Sequence, residues 1–334
     1  MQEKEDTRFL DVLRWFATVA VVFYHVLNIA LSDVEIDRGV EFAYNLIAVP
    51  MHWHVPMFLM ISGALFLNPA KEISYRQLFT KNIRRLLLAL GVFGIPMALM
   101  KEVFNERAIS FAGLLRSVYL VFAGQTWRHM WFLYMLIGLY LLTPMLKTYV
   151  NNASKKEKLY LILLIFAFTG LKPTIEEYFN INIGFDIPIS SGALGYYLLG
   201  HFMMYEVDTT KTRTRSITGI CASLAVIWLS AVFEWGLPLE TNSPVITVLT
   251  LSLFSLAKSL KLHSAFLSRT KYLAFGVYLT HMVFIFFAYR FLGISPFDYP
   301  AWLIVPVFGT AFFAMSLVSS IILNKIPILK KYVM

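Results

Sequence analysis

Long apolar runs separated by short polar segments recur along the whole chain. Within each run the apolar positions are continuous. A strand of a membrane barrel would alternate apolar and polar residues, whereas a helix crossing the hydrocarbon layer needs about 20 mostly apolar residues in succession. Ten such runs are read, near residues 10–31, 44–67, 84–104, 129–147, 159–172, 190–206, 216–234, 243–258, 272–292 and 302–324. Lipid offers backbone polar groups no water, so each run is expected to close its own hydrogen bonds as a helix. The run at 159–172 is short and could be half-inserted. The apolar segment 111–124 is shorter than a span and is expected to be interfacial or re-entrant. The fold class expected is all-α, a polytopic membrane bundle of about ten helices. The chain carries no soluble domain, long linker, repeat or low-complexity tract, and reads as one transmembrane domain over residues 1–334.

Composition agrees with that pattern: 58% of residues are hydrophobic, 15% are charged and mean hydropathy is +0.66. A soluble domain averages about 25% charged residues. The net charge of +9 could suggest nucleic acid, but the cations follow the polar segments alternately instead. Of the 29 Lys and Arg, 22 fall in every second segment: Lys4, Arg8 and Arg14, then 71–85, 147–158, 211–215, 258–271 and 325–331. Acids mark the intervening loops, with Asp33, Glu35, Asp37 and Glu41, then Glu176, Glu177 and Asp186. Excess Lys and Arg mark cytoplasmic loops, so both termini are expected in the cytoplasm, which requires an even number of spans. The expected location is the cell (inner) membrane, and nucleic acid is not an expected partner. The first residues mix acids and bases, and no small-residue cleavage site follows the first run, which is read as an uncleaved helix. The lone Cys221 forbids an internal disulfide and reads as a packing residue.

The first run, RFLDVLRWFATVAVVFYHVLN, carries three polar groups in one stripe. Asp11 and Arg14 are spaced i,i+3, close enough to pair. Eleven helical steps bring His25 back almost into line with Arg14, about 16 Å further along the axis. Charged and titratable groups are costly within a bilayer and mark function by default. His25 is therefore a candidate general base, since imidazole exchanges a proton near neutral pH. The plainer alternative is that Asp11 and Arg14 snorkel to the interface and His25 packs. His52 and His54 flank Trp53, but i,i+2 spacing does not put them on one helix face. With no cysteine cluster and no His-x-x-x-His, no metal site is expected.

The pattern Asp11-x-x-Arg14-x10-His25 resembles that of the acyltransferase-3 family of integral membrane O-acyltransferases. Four further segments agree, in order: VPMFLMISGALF (55–66), HMWFLYMLIGLYLLTPML (129–146), YYLLGH (196–201) and FGVYLTHMVF (275–284). Together they cover the chain from residue 8 to about 290. The resemblance implies transfer of an acyl group, usually acetyl, from cytoplasmic acyl-CoA to a hydroxyl of an acceptor, commonly a surface or lipid-linked glycan. It implies that His25 is catalytic and Arg14 essential near the donor; Asp11, one helical turn before Arg14, would orient or neutralise it. Acetyl-CoA would be a substrate, and no permanently bound cofactor is expected. The basic group Lys81, Arg84 and Arg85 fits CoA phosphates, which guanidinium grips with paired hydrogen bonds. The same residues also serve as a topology signal. Here the chain departs from the family's Arg-x-x-Arg: alignment on Arg85 puts Asn82 at the first position.

His129 and Trp131 open the fourth run and could meet a sugar ring by hydrogen bonding and apolar stacking. For Trp131 an aromatic belt at the interface is the competing reading. His281 lies mid-run and is either a second polar group of the cavity or a packing residue. The expected mechanism has acyl-CoA dock near Lys81, Arg84 and Arg85 and pass its arm by Arg14 to His25. A transient acyl-histidine is a variant of it. The competing function is an exporter of a glycan or small solute. The absence of an internal repeat speaks against it. Expected partners are acyl-CoA, the hydroxyl acceptor and the bilayer.

Overall fold

The computed structural model describes residues 6–31, 38–106, 110–188, 191–294 and 300–334, and every regular element among them is a helix. Helix α1 is Arg8–Leu31 and α2 is Arg38–Ile47. A 3-10 turn at Val49–Met51 leads to α3, His54–Phe66. The single expected run at 44–67 is thus divided. Pro50 has no N–H to continue the first helix, and Pro56 falls in the first turn of the next, where a missing N–H costs nothing.

Helix α4 runs continuously over 75–106. It starts nine residues before the apolar run because Ser74 caps it, its hydroxyl oxygen accepting from the Gln77 amide at 3.3 Å. Segments Leu78–Ile83 and Leu90–Gly94 of α4 are π-helical. Then follow α5 (Phe111–Phe122), α6 (Trp131–Asn152) and α7 (Lys155–Phe179). The last is longer than its apolar stretch because Ser154 and Glu157 form a reciprocal capping box at its start. Helices α8 (Gly192–Tyr205), α9 (Arg213–Val232), α10 (Pro244–Ser259), α11 (Ala265–Thr270), α12 (Leu273–Phe291), α13 (Ala301–Leu323) and α14 (Pro327–Tyr332) complete the chain.

Eight of these stretches are long and apolar enough to cross a membrane: Arg8–Asn28, Val49–Phe66, Tyr75–Met100, Trp131–Asn152, Lys155–Phe179, Arg213–Val232, Leu273–Phe291 and Trp302–Leu323. The other two expected spans, α8 and α10, are helices of 14 and 16 residues. Nearly every side chain of α8 from Gly195 to Met204 is buried. Hydropathy alone does not separate such a core helix from a span, because both are apolar all round.

The bundle is built around α1, α3, α8 and α12, which carry most of the main core. Helices α3 and α8 approach backbone to backbone. A Cβ on Gly63 would overlap the Tyr197 carbonyl oxygen, and one on Gly200 would overlap that of Met60. Small residues are the usual means of such contact between membrane helices, where lipid supplies no hydrophobic drive to associate. Serine and threonine serve the same purpose elsewhere: Thr212 and Ser216 bond Ser255 between α9 and α10, and Ser320 of α13 bonds the Leu273 carbonyl of α12.

The basic segments meet at one end of the bundle. Lys271 reaches Asp11, Lys147 donates to the Asn68 carbonyl, Lys158 pairs with Glu206 and Arg85 donates to the Val333 carbonyl. Lys258 donates to the carbonyls of Met203, Met204 and Val207, where it closes the C-terminal end of α8 against the negative pole of its dipole. The opposite end gathers different loops: His52 bonds the Leu239 carbonyl, Trp228 bonds that of Leu46, and Tyr196 bonds that of Thr241.

Candidate active site

At the basic end, Asp11 is buried and binds two cations. Arg14 Nη1 donates to one carboxylate oxygen at 2.9 Å and Lys271 Nζ to the other at 3.1 Å. A buried charge needs such pairing, because desolvation without it costs several kcal/mol. Arg14 is placed by α1 at the edge of a cavity of about 480 Å³. Lys81, Asn82 and Arg85 of α4 line it, with Gln77 and Lys271. Arg85 is held from two sides, its Nε donating to the Val333 carbonyl at 2.9 Å and its guanidinium lying 4.7 Å above the Phe275 ring. The walls deepen into apolar surface from Ile61, Leu65 and Leu136, and include the rings of Phe58, Phe132 and Tyr278.

Those rings separate the cavity from a histidine cluster. Phe132 packs on Phe58 at 5.9 Å and on Tyr278 at 5.7 Å. Tyr278 in turn lies against His129 at 5.6 Å and His281 at 6.0 Å, and its hydroxyl donates to the His129 carbonyl at 2.5 Å. His281 packs on His25 at 5.1 Å and on His129 at 5.3 Å. Across Tyr24, the set continues to His52 and His54. Five of the seven histidines therefore lie around one centre, drawn from α1, the turn before α3, α3 itself, the 3-10 turn Arg128–Met130 before α6, and α12.

Hydrogen bonds assign the proton on His25. Its Nδ1 lies 2.8 Å from the Val21 carbonyl, which can only accept, so Nδ1 carries the proton and the basic lone pair is on Nε2. His281 is assigned the same way, with Nδ1 donating to the Tyr278 carbonyl at 2.7 Å. Its Nε2 is then an acceptor, 3.2 Å from His25 Nδ1. Val21 and His281 thus present two acceptors to one N–H and would hold an imidazolium at His25 when Nε2 takes a proton. A base oriented by a third group is the arrangement that nucleophile activation requires.

On the far side of Tyr24 lies a second cavity of about 580 Å³, lined by His52, Leu239, Glu177, Glu234 and Glu240 among others. The histidine cluster stands between the two cavities. No group of three or more His, Cys, Asp or Glu placed to hold a metal occurs among the described residues.

Of the residues singled out from the sequence, Asp11, Arg14, Lys81 and Arg85 come together at the cavity, and His25, His129 and His281 behind it. Arg84 points outward, stacked on Tyr332 at 5.3 Å. Trp131 is half exposed on the outer side of α6, against Phe132. Cys221 is exposed on α9. The acids at 33–37 lie outside the described residues. Sequence reasoning missed Lys271, Tyr278, Tyr24, His54 and Trp127. Tyr278 was accessible in principle, since it stands i,i+3 from His281. Lys271 was not, because its meeting with Asp11 joins positions 260 residues apart.

A family model described as an acyltransferase domain, the acyltransferase-3 model, matches residues 7–325. No curated protein matches the chain. No solved structure matches it either.

Proposed function

Since the chain belongs to the acyltransferase-3 family and is a multi-pass helical acyltransferase, we propose that it transfers acetyl from cytoplasmic acetyl-CoA to a hydroxyl of a cell-surface or lipid-linked glycan. The observation that carries this reading is the cation-rimmed cavity whose wall residue Tyr278 packs on His281, which in turn packs on the oriented His25. In this reading the Arg14 end faces the cytoplasm, ten helices are inserted in the cell membrane, and both termini are cytoplasmic. The CoA phosphates rest on Lys81, Arg85 and Lys271, and the pantetheine arm runs past Arg14 toward Tyr278. The acceptor arrives from the opposite side, through the cavity beside His52. His25 Nε2 takes the proton of the acceptor hydroxyl as its oxygen attacks the thioester carbon. The tetrahedral intermediate collapses with loss of the C–S bond, and the proton passes to the departing thiolate. The products are an O-acetyl ester and CoA thiol. His281 holds the tautomer of the base, and Asp11 holds Arg14.

The test is transfer of labelled acetyl from acetyl-CoA to cell-envelope glycan by purified protein in detergent. His25→Ala should slow it by about 10²–10⁴-fold, the usual contribution of a general base. Full activity in a well-folded His25→Ala protein overturns the base assignment. Glycan flux into sealed vesicles without CoA, and no CoA-dependent transfer, would make the protein an exporter instead.

A further inference from the structure

His129 is unlike the other histidines of the helical bundle. His25, His52, His54, His201 and His281 each fix Nδ1 on a main-chain carbonyl. His129 is 2% exposed, yet neither of its ring nitrogens has a hydrogen-bond partner, and neither has the indole nitrogen of Trp127, 6.4 Å away between ring centres. Six buried polar side-chain atoms lack a partner among the described residues, and three of them are these. Buried donors are paired in native proteins unless a site reserves them for a ligand. The His129 ring is nevertheless held in place. Its carbonyl is pinned by the Tyr278 hydroxyl, and its faces and edges meet Tyr278, His281 and Trp127. A fixed donor in a water-poor site, kept free of protein partners, is what stabilisation of a developing anion requires.

We propose that His129 and the Nε1–H of Trp127 are the hydrogen-bond donors for the acyl oxygen, forming the oxyanion site of the reaction. This inference rests on the acyl-transfer reading above and adds the group which that mechanism still needs. When the acceptor oxygen bonds to the thioester carbon, the carbonyl π pair moves onto the acyl oxygen, which becomes anionic. His129 N–H and Trp127 N–H receive it there. The pair returns to carbon as the C–S bond breaks, so neither residue gains or loses a proton over the cycle. His281, between His25 and His129, sets the spacing of base and oxyanion donor.

The experiment uses purified full-length protein with acetyl-CoA alone, water being the acceptor, and follows release of CoA thiol. A second readout is the infrared band of the bound thioester carbonyl in ¹³C-labelled acetyl-CoA, which donors at the oxygen move to lower frequency. His129→Leu should slow thiol release by about 10²–10³-fold, the cost of one oxyanion donor. Acetyl-CoA affinity should stay within about threefold, because the bond to the neutral carbonyl is weak and strengthens only as charge develops on the oxygen. The carbonyl band should move back to higher frequency. His129→Gln, which restores an N–H, should recover part of both effects, and Trp127→Phe should lose about tenfold in rate. A merely structural role would shift the unfolding midpoint and leave the band where it was. Unchanged rate and band in His129→Leu overturn the assignment. Should that variant fail to fold, the same result in Trp127→Phe overturns it. Wild-type protein that neither binds nor cleaves acetyl-CoA removes the acyl-transfer reading itself, whereas cleavage that survives both substitutions removes only the oxyanion site.

Discussion

Arg84 and Arg85 are adjacent and chemically identical, yet the fold gives them different work. Arg85 lines the cavity and is anchored by Val333 and Phe275, whereas Arg84 leans outward on Tyr332. Arg85→Lys keeps the charge but loses the planar fork that grips phosphate, so acetyl-CoA affinity should fall about tenfold by calorimetry. Arg84→Ala should leave that affinity unchanged. Asp11 allows a similar separation. Lys271 is half exposed, so its link to Asp11 contributes no more than about 1 kcal/mol. The Arg14 link is more deeply buried, and removing the carboxylate there leaves an uncompensated charge. Asp11→Ala should therefore destabilise the protein by about 3–5 kcal/mol and Lys271→Ala by less than about 1, as read from unfolding in detergent. The stripe on α1 was legible in the sequence because one helix carries all its members and helical periodicity alone aligns them. Which of two neighbouring arginines turns inward was not, since that depends on what α12 and the chain around Val333 place beside them.

At the scale of elements, the contact between α3 and α8 depends on two glycines. Gly63→Ala or Gly200→Ala inserts a methyl into a main-chain carbonyl rather than into a side chain that could turn away. Each should cost about 1–3 kcal/mol in unfolding measurements, the range for overpacking. Gly138→Ala on α6, with open space around it, should cost nothing. Seven of the ten expected runs became helices within about five residues of their predicted ends, because hydrophobic length is a local property. The departures arise where another rule acts. Pro50 divides the run at 44–67, and the caps at Ser74 and Ser154 lengthen α4 and α7 through polar residues that hydropathy assigns to loops.

At the scale of the molecule, the alternation of basic and acidic segments anticipated that the N-terminal cations, 71–85, 147–158, 211–215, 258–271 and 325–331 would share one end, and the bonds of Lys147 to Asn68, Lys158 to Glu206, Lys258 to Val207, Lys271 to Asp11 and Arg85 to Val333 run between these segments or the residues beside them. The histidine cluster was only partly visible. His25 and His281 stand 256 residues apart, and no spacing rule connects them. His52 and His54, set aside because i,i+2 positions diverge on a helix, both reach Tyr24 because the chain turns between them.

The aromatic layer of Phe58, Phe132 and Tyr278 has one further consequence. Two cavities lie toward opposite ends of the bundle, and these rings with the histidines behind them are the partition. A cell membrane holds a proton gradient, and a continuous wet passage through a transferase would short-circuit it. On the proposed trans-bilayer reading, the layer acts as an electrical insulator across which a group can be handed but current cannot flow. Liposomes carrying the protein and an internal pH dye should hold a gradient as well as empty ones, and Tyr278→Ala should let it decay.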